Sequence, residues 1–160
     1  MDPTTIITTI VLAMLPISEL RGAIPFAYLR GMDIWLAASL SIVFNALVAP
    51  VVYIFLSSLH KVFYKRWNLY QKIFDKTVVR ARAKLQEKVN RYGYWGIMLF
   101  VAVPLPVTGA WTGTLGAWVL GLDKKKTMLA VCGGVLIAGI IVTTIVMLGA
   151  GMNSLFVKII

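Results

Sequence analysis

The chain has 160 residues, 59% of them hydrophobic and 14% charged, with a formal net charge of +10 and a mean hydropathy of +0.84. A soluble domain carries charge on roughly a quarter of its residues, so this composition excludes an ordinary water-soluble enzyme and points to an integral membrane protein. Thirteen of the sixteen Lys and Arg lie between Lys61 and Lys126, beside apolar stretches, a positive-inside pattern whose partners are lipid phosphates rather than nucleic acid.

Residues 3–18 hold no charged side chain, and no basic residue precedes the apolar stretch at 5–17, so a cleavable signal peptide is not expected. Stretch 5–16 is too short to cross a bilayer. It runs into Pro16, Glu19, Arg21, Gly22 and Pro25. A short helix, a Pro/Gly break over 16–25 and a second short helix predict a re-entrant hairpin over 5–30. One kinked full span is the other reading. Residues 34–59 are free of charge and would make roughly 39 Å of helix, enough to cross. Pro50 predicts a kink in it, and Asn45 needs a partner within the protein.

Segment 60–91 holds ten basic and two acidic residues, net +8. Its large apolar residues, Phe63, Trp67, Tyr70, Phe74 and Val78, recur every three or four positions. That spacing predicts a long basic amphipathic helix connecting the two halves, lying on anionic lipid headgroups at the cytoplasmic face. His60 stands at the membrane edge, as a pH-sensitive group or an ordinary interfacial residue. Residues 94–103 and 111–121 are again short apolar pieces around Pro104, Pro106, Thr108 and Gly109, predicting a second re-entrant hairpin over 94–121. The second full span is 127–150, where Gly133, Gly134 and Gly139 allow close helix approach. The single Cys132 lies in this run, so no disulfide, redox or cysteine-based metal cluster is expected within one chain. No cofactor is expected either.

Sliding the chain by 87 residues puts Gly22–Ala23 on Gly109–Ala110, and 34–59 on 121–146. The reading is therefore one membrane domain, 1–160, built of two repeats, 5–59 and 92–150, joined by 60–91. Each repeat holds one full span, so the two are inverted, as in many secondary transporters. With 60–91 and 123–126 cytoplasmic, both chain ends lie outside and the two breaks meet near the membrane centre. Two spans and two hairpins are a thin wall around a pathway, so a homodimer is expected.

Glu19 is the sharpest candidate, because a carboxylate in low dielectric must pair, protonate or sit in water. It is a proton-coupling group or one half of a static ion pair with Arg21. Arg21 offers a planar fork of donors to an anionic headgroup, or snorkels to the outer surface. Gly22 and Pro25 complete this first loop. Pro104, Pro106, Thr108, Gly109, Thr112 and Gly113, with Thr114, form an uncharged polar patch at a helix N-terminus, which favours anions. They bind substrate or pack the hairpins together. Trp111 lines the pathway or faces lipid. Asn45 coincides with Cys132 under the repeat, so the two either cross-pack or act directly.

Glu19-Leu20-Arg21-Gly22-Ala23-Ile24-Pro25 resembles the N-terminal motif of the small multidrug export protein family. Residues 101–113 resemble its central motif, and Gly121-Leu122-Asp123-Lys124-Lys125-Lys126 its continuation. The resemblance covers 5–150. It implies a relationship to the DedA, or SNARE-associated (VTT-type), superfamily, with two facing re-entrant hairpins. Glu19 would be the acidic residue of the first hairpin, and Pro104, Pro106, Thr108 and Gly109 the second motif. The basic residue that the broader group holds near that motif is absent here, and Arg21 offers the positive charge instead. Together these readings predict a proton-coupled transporter of a prokaryotic plasma membrane, moving a small amphipathic or anionic, lipid-phosphate substrate. The alternatives are an uncoupled lipid scramblase, an ion channel, or a structural and assembly protein. An enzyme is not expected, since no nucleophile, base or metal set accompanies the single His60.

Overall fold

The computed structural model describes residues 2–58, 60, 64, 66, 68–105 and 108–157. Helix α1 (Pro3–Met14) opens on Asp2, whose carboxylate accepts the Thr4 N–H at 3.1 Å, with Pro3 in the first turn where its missing N–H is harmless. Helices α2 (Glu19–Leu29), α3 (Ile34–Ser58), α4 (Asn68–Tyr92), α5 (Tyr94–Ala102), α6 (Ala110–Val119) and α7 (Lys124–Val157) succeed it. The sequence-based expectations for Phe63, Trp67 and Pro106 concern residues outside the described ones.

Two pairs of short helices fold back on themselves: α1 packs on α2, and α5 on α6. The second break, 103–109, falls where the prolines predict it. The first does not span 16–25. It is confined to 15–18, and Glu19 to Pro25 lie inside α2. Packing explains the difference. Leu20, Ala23, Ile24 and Ala27 recur at helical spacing and are all buried, and α2 lies against α1, which buries Thr5, Thr9 and Ala13. That continuous stripe outweighs the local penalties of Gly22 and Pro25.

The two long helices are entered through the same turn. At the end of α2, Gly31 has φ 81; its N–H bonds Tyr28 O at 2.9 Å and the Met32 N–H bonds Ala27 O at 3.0 Å. At the end of α6, Gly121 has φ 67; its N–H bonds Trp118 O at 3.0 Å and the Leu122 N–H bonds Ala117 O at 3.0 Å. Both are glycine-terminated helix ends in a left-handed conformation that other residues rarely adopt. Asp33 then accepts from the N–H groups of Trp35 and Leu36, and Asp123 from that of Lys126, capping α3 and α7. Gly31 to Gly121 and Asp33 to Asp123 are each an offset of 90, not the 87 read from Gly22 and Gly109. Those two glycines are not equivalent: Gly22 lies within α2, whereas Gly109 precedes α6 with φ 144.

Helix α3 and residues Lys124–Gly149 of α7 are apolar and long enough to cross a membrane. Their outward faces carry Val43, Leu47, Val51 and Ile54, and Leu129, Leu136 and Ile140, all exposed. A water-soluble surface does not sustain such faces. The protein is multi-pass in the membrane, with lipid against these helices. The chain divides into two compact units, Met1–Asn45 with Leu136–Ile160, and Ala46–Val135; the division falls within α3 and α7.

In the first unit, Ala27, Met32 and Ala37 form a small-residue core with Ile6 and Leu40 against it, and Gly139 of α7 meets Ile42 of α3. In the second, a Cβ on Gly134 would lie 2.6 Å from Val101 Cβ and 2.7 Å from Met98 O, so α7 approaches α5 through bare backbone. The α4 helix packs on α5 and α6. It is a docked element of the second unit as well as a basic surface.

Candidate functional site

Glu19 opens α2 and is only 5% exposed. Its backbone has φ 49, the left-handed region that costs a non-glycine residue about 1–2 kcal/mol. Regular helix geometry keeps residues two apart from facing each other. Because the chain departs from that geometry at Glu19, its Oε2 reaches to 4.0 Å from Arg21 Nη2. The carboxylate also lies at a helix N-terminus, where the backbone dipole favours negative charge. A Cβ on Gly22 would meet the Ser18 hydroxyl, which would have to turn aside. Pro25, half-buried, has no N–H to give the carbonyl four residues back. The structure thus brings Glu19 and Arg21 together on one half-turn of helix, with Gly22 packed behind them.

The same unit buries further polar groups. Ser41 and Asn45 stand four apart on one face of α3, both 0% exposed, and Thr143 of α7 is 6% exposed. Among the described residues, none accepts from or donates to the Ser41 hydroxyl, the Thr143 hydroxyl or either amide atom of Asn45. The partner that Asn45 was expected to have is not among them. A buried polar group left so costs about 1–3 kcal/mol. Other hydroxyls of the chain avoid that cost by bonding back one helical turn: Thr9 to Thr5 O at 2.7 Å, and Thr144 to Ile140 O at 2.8 Å. Sequence reasoning singled out Asn45 and missed Ser41 and Thr143; the i,i+4 pairing of Ser41 with Asn45 was the available signal.

The second hairpin is built differently. The Thr108 hydroxyl lies 2.8 Å from both Val103 O and Leu105 O, and its N–H donates to Leu105 O at 3.2 Å. Those bonds close the break upon itself. Gly109, at φ 144, then turns the chain into α6, where the Gly113 N–H donates to Gly109 O at 2.8 Å. A Cβ on Gly113 would sit 2.6 Å from Val101 Cγ2. Gly113 is therefore a close contact between α6 and α5. Pro104, Trp111 and Thr112 are half-buried, and Thr114 is fully buried with no partner for its hydroxyl among the described residues.

An aromatic cluster ties α4 to this hairpin. His60 stacks on Phe74 with centroids 4.1 Å apart and meets Tyr64 at 5.2 Å and the edge of Trp118 at 5.5 Å. Tyr64 donates its hydroxyl to Asp75 at 3.1 Å. Burial among these rings pushes the His60 imidazole below its usual value, and Asp75 opposes that in part. Hydrogen bonding to Asp75 raises the Tyr64 phenol. Cys132 is exposed on α7. No cluster of three or more His, Cys, Asp or Glu side chains gathers among the described residues.

Two membrane-length helices and two broken helical hairpins make this an all-α membrane protein. Residues 19–141 match the family described as "Putative small multi-drug export protein", and the chain belongs to that family. No curated protein and no solved structure matches it. Membership, with the two spans, makes this a membrane transport protein and not an enzyme.

Proposed function

We propose that the chain is a proton-coupled transporter in which Glu19 carries the proton and Arg21 takes the negative charge of a small amphipathic or lipid-phosphate substrate. The observation that carries this reading is the Glu19–Arg21 pair, with the carboxylate buried and Glu19 in the left-handed backbone region. An anionic substrate that took Arg21 would leave Glu19 without its cation in a low dielectric. A carboxylate so placed takes up a proton. Substrate binding and proton binding then accompany each other. Ser41, Asn45 and Thr143 support a hydrated interior in the same unit, since groups of this kind are ordinarily satisfied by water.

The repeated entry into α3 and α7 supports reading 5–59 and 92–150 as two repeats joined by 60–91. Their inversion, with re-entrant hairpins, rests on the charges: Lys124, Lys125 and Lys126 at the start of α7 go to the cytoplasmic side. In this reading Pro104, Trp111 and Thr112 are the substrate-facing residues of the second hairpin, while Thr108 and Gly109 hold its shape. The assembly is a homodimer in a prokaryotic plasma membrane.

Purified protein in liposomes tests this. Native chain and Glu19→Gln are compared for proton exchange driven by an organic cation, an organic phosphate and a short-chain phosphatidic acid. Exchange present in the native chain and reduced to background in the variant, with unchanged gel filtration and helicity, is the expected result. Substrate or lipid flux that survives Glu19→Gln would assign an uncoupled scramblase or channel. No flux from either folded protein would assign a structural role.

A further inference from the structure

The second unit has a groove of about 260 Å³ that the transport reading does not use. It is lined by Tyr94, Trp95 and Met98 of α5 and by Lys126, Leu129 and Ala130 of α7. One end is a built polar corner. The Tyr94 hydroxyl accepts the Asp123 N–H at 3.0 Å, the Asp123 carboxylate accepts the Lys126 N–H at 2.9 Å, and Lys126 Nζ stands 5.7 Å from the Tyr94 ring centroid. The rest is apolar and open, with Trp95 68% and Leu129 75% exposed. Leu129 and Ala130 lie beyond Lys126 by about one helical turn, so basic and apolar residues share one face of α7.

Charge and depth select the occupant. Lys125 and Lys126 are exposed, and Lys124 lies over the Tyr53 ring at 5.4 Å. The one acidic group in that stretch, Asp123, is committed to capping α7. A tyrosine and a tryptophan beside three lysines at the entry of a span mark the headgroup layer. A free phosphate would gain nothing from Trp95, Met98 and Leu129. A zwitterionic lipid would bring its own cation against the lysines.

We propose that this groove binds one anionic glycerophospholipid, with its phosphate at Lys126 and an acyl chain along Trp95, Met98 and Leu129. The site is separate from general attraction of lipid to the basic α4, and it stands whether or not the chain transports.

A chain keeping Trp95 as its single tryptophan, with Trp35, Trp67, Trp111 and Trp118 replaced by Phe, is reconstituted in phosphatidylcholine. Acyl-brominated phosphatidylglycerol or phosphatidylcholine is then added at equal mole fractions. Trp95 fluorescence is expected to be quenched with about fivefold preference for the anionic lipid, the equivalent of about 1 kcal/mol for one basic residue. That preference is expected to fall to near one in Lys126→Gln. Lipid retained by the unaltered chain and by Lys126→Gln in native mass spectrometry reads the same preference without the tryptophan replacements. Equal quenching by the two lipids would reduce the groove to ordinary annular contact. Loss of quenching by both would mean a second copy covers it. A preference unchanged by Lys126→Gln would place the charge effect elsewhere. Each of these overturns the proposal.

Discussion

At the end of α2, Gly31 and Asp33 turn the chain into α3; at the end of α6, Gly121 and Asp123 turn it into α7 with the same hydrogen bonds. The first turns of the two long helices nevertheless differ in charge. Ile34, Trp35 and Leu36 succeed Asp33, whereas Lys124, Lys125 and Lys126 succeed Asp123. A glycine in the left-handed region and a capping carboxylate are enough to specify the turn, and neither depends on the charge of the next residues. The same backbone turn occurs twice, with different chemistry after it. The hairpins before the two turns differ likewise: one holds Glu19 and Arg21, the other an uncharged break closed by Thr108.

The largest effect that sharpens this contrast lies in how each unit receives α7. Gly134→Ala would press a Cβ against Met98 O and Val101 Cβ, which are fixed by α5, and should cost about 1–3 kcal/mol. Gly139→Ala meets Cγ1 and Cδ1 of Ile42 rather than backbone and should cost less. Gly149→Ala meets nothing within 4 Å and should be neutral or stabilising. Denaturant unfolding in micelles gives the order, and a cost at Gly139 exceeding that at Gly134 would break the distinction.

Next in size are the caps. Asp33→Ala and Asp123→Ala should each cost about 1 kcal/mol, and should agree closely if the two turns are one device. A cost at Asp123 alone would make the likeness a coincidence of sequence. Tyr94→Phe in the Asp123→Ala background separates the cap from the Tyr94 hydroxyl that accepts the Asp123 N–H.

The smallest effect is in pH. His60 is held below its ordinary value of 6.5, chiefly by burial. Its neutral form is the one the fold favours, so its contribution is complete above about pH 6.5. As pH falls below that, the unfolded chain takes up the proton first and stability is lost. The unfolding midpoint should drop between about pH 7.5 and about pH 5.5, and the drop should shrink in His60→Phe. Asp75, Tyr64, Phe74 and Trp118 are the described groups around it, and only Asp75 works the other way.

How much of this was legible depended on range. Charge-free runs at 34–59 and 127–150 announce spans by length alone, and α3 and α7 cover them. Pro104 falls in the break between Ala102 and Ala110, as its local signal predicts. Pro16, Gly22 and Pro25 carry the same local signal, yet Leu20, Ala23, Ile24 and Ala27 pack at helical spacing and keep most of that segment in α2. The two-repeat reading rests on Gly22 and Gly109 at an offset of 87, whereas the matching turns stand at 90, since composition cannot tell a packing glycine from one with positive φ. Ser41 could be suspected from its i,i+4 spacing to Asn45, but that its hydroxyl and that of Thr143 have no partner among the described residues could not. Whether a hydroxyl in an apolar helix bonds back to its own backbone or is left unmet is decided in three dimensions.

Cys132 is the one thiol in the chain and lies exposed on α7. The unmutated protein can therefore carry one reporter group at one position along a span. A nitroxide there would record its depth in the bilayer from its exposure to oxygen. In a homodimer, two such labels would return a single distance, measured on the native sequence.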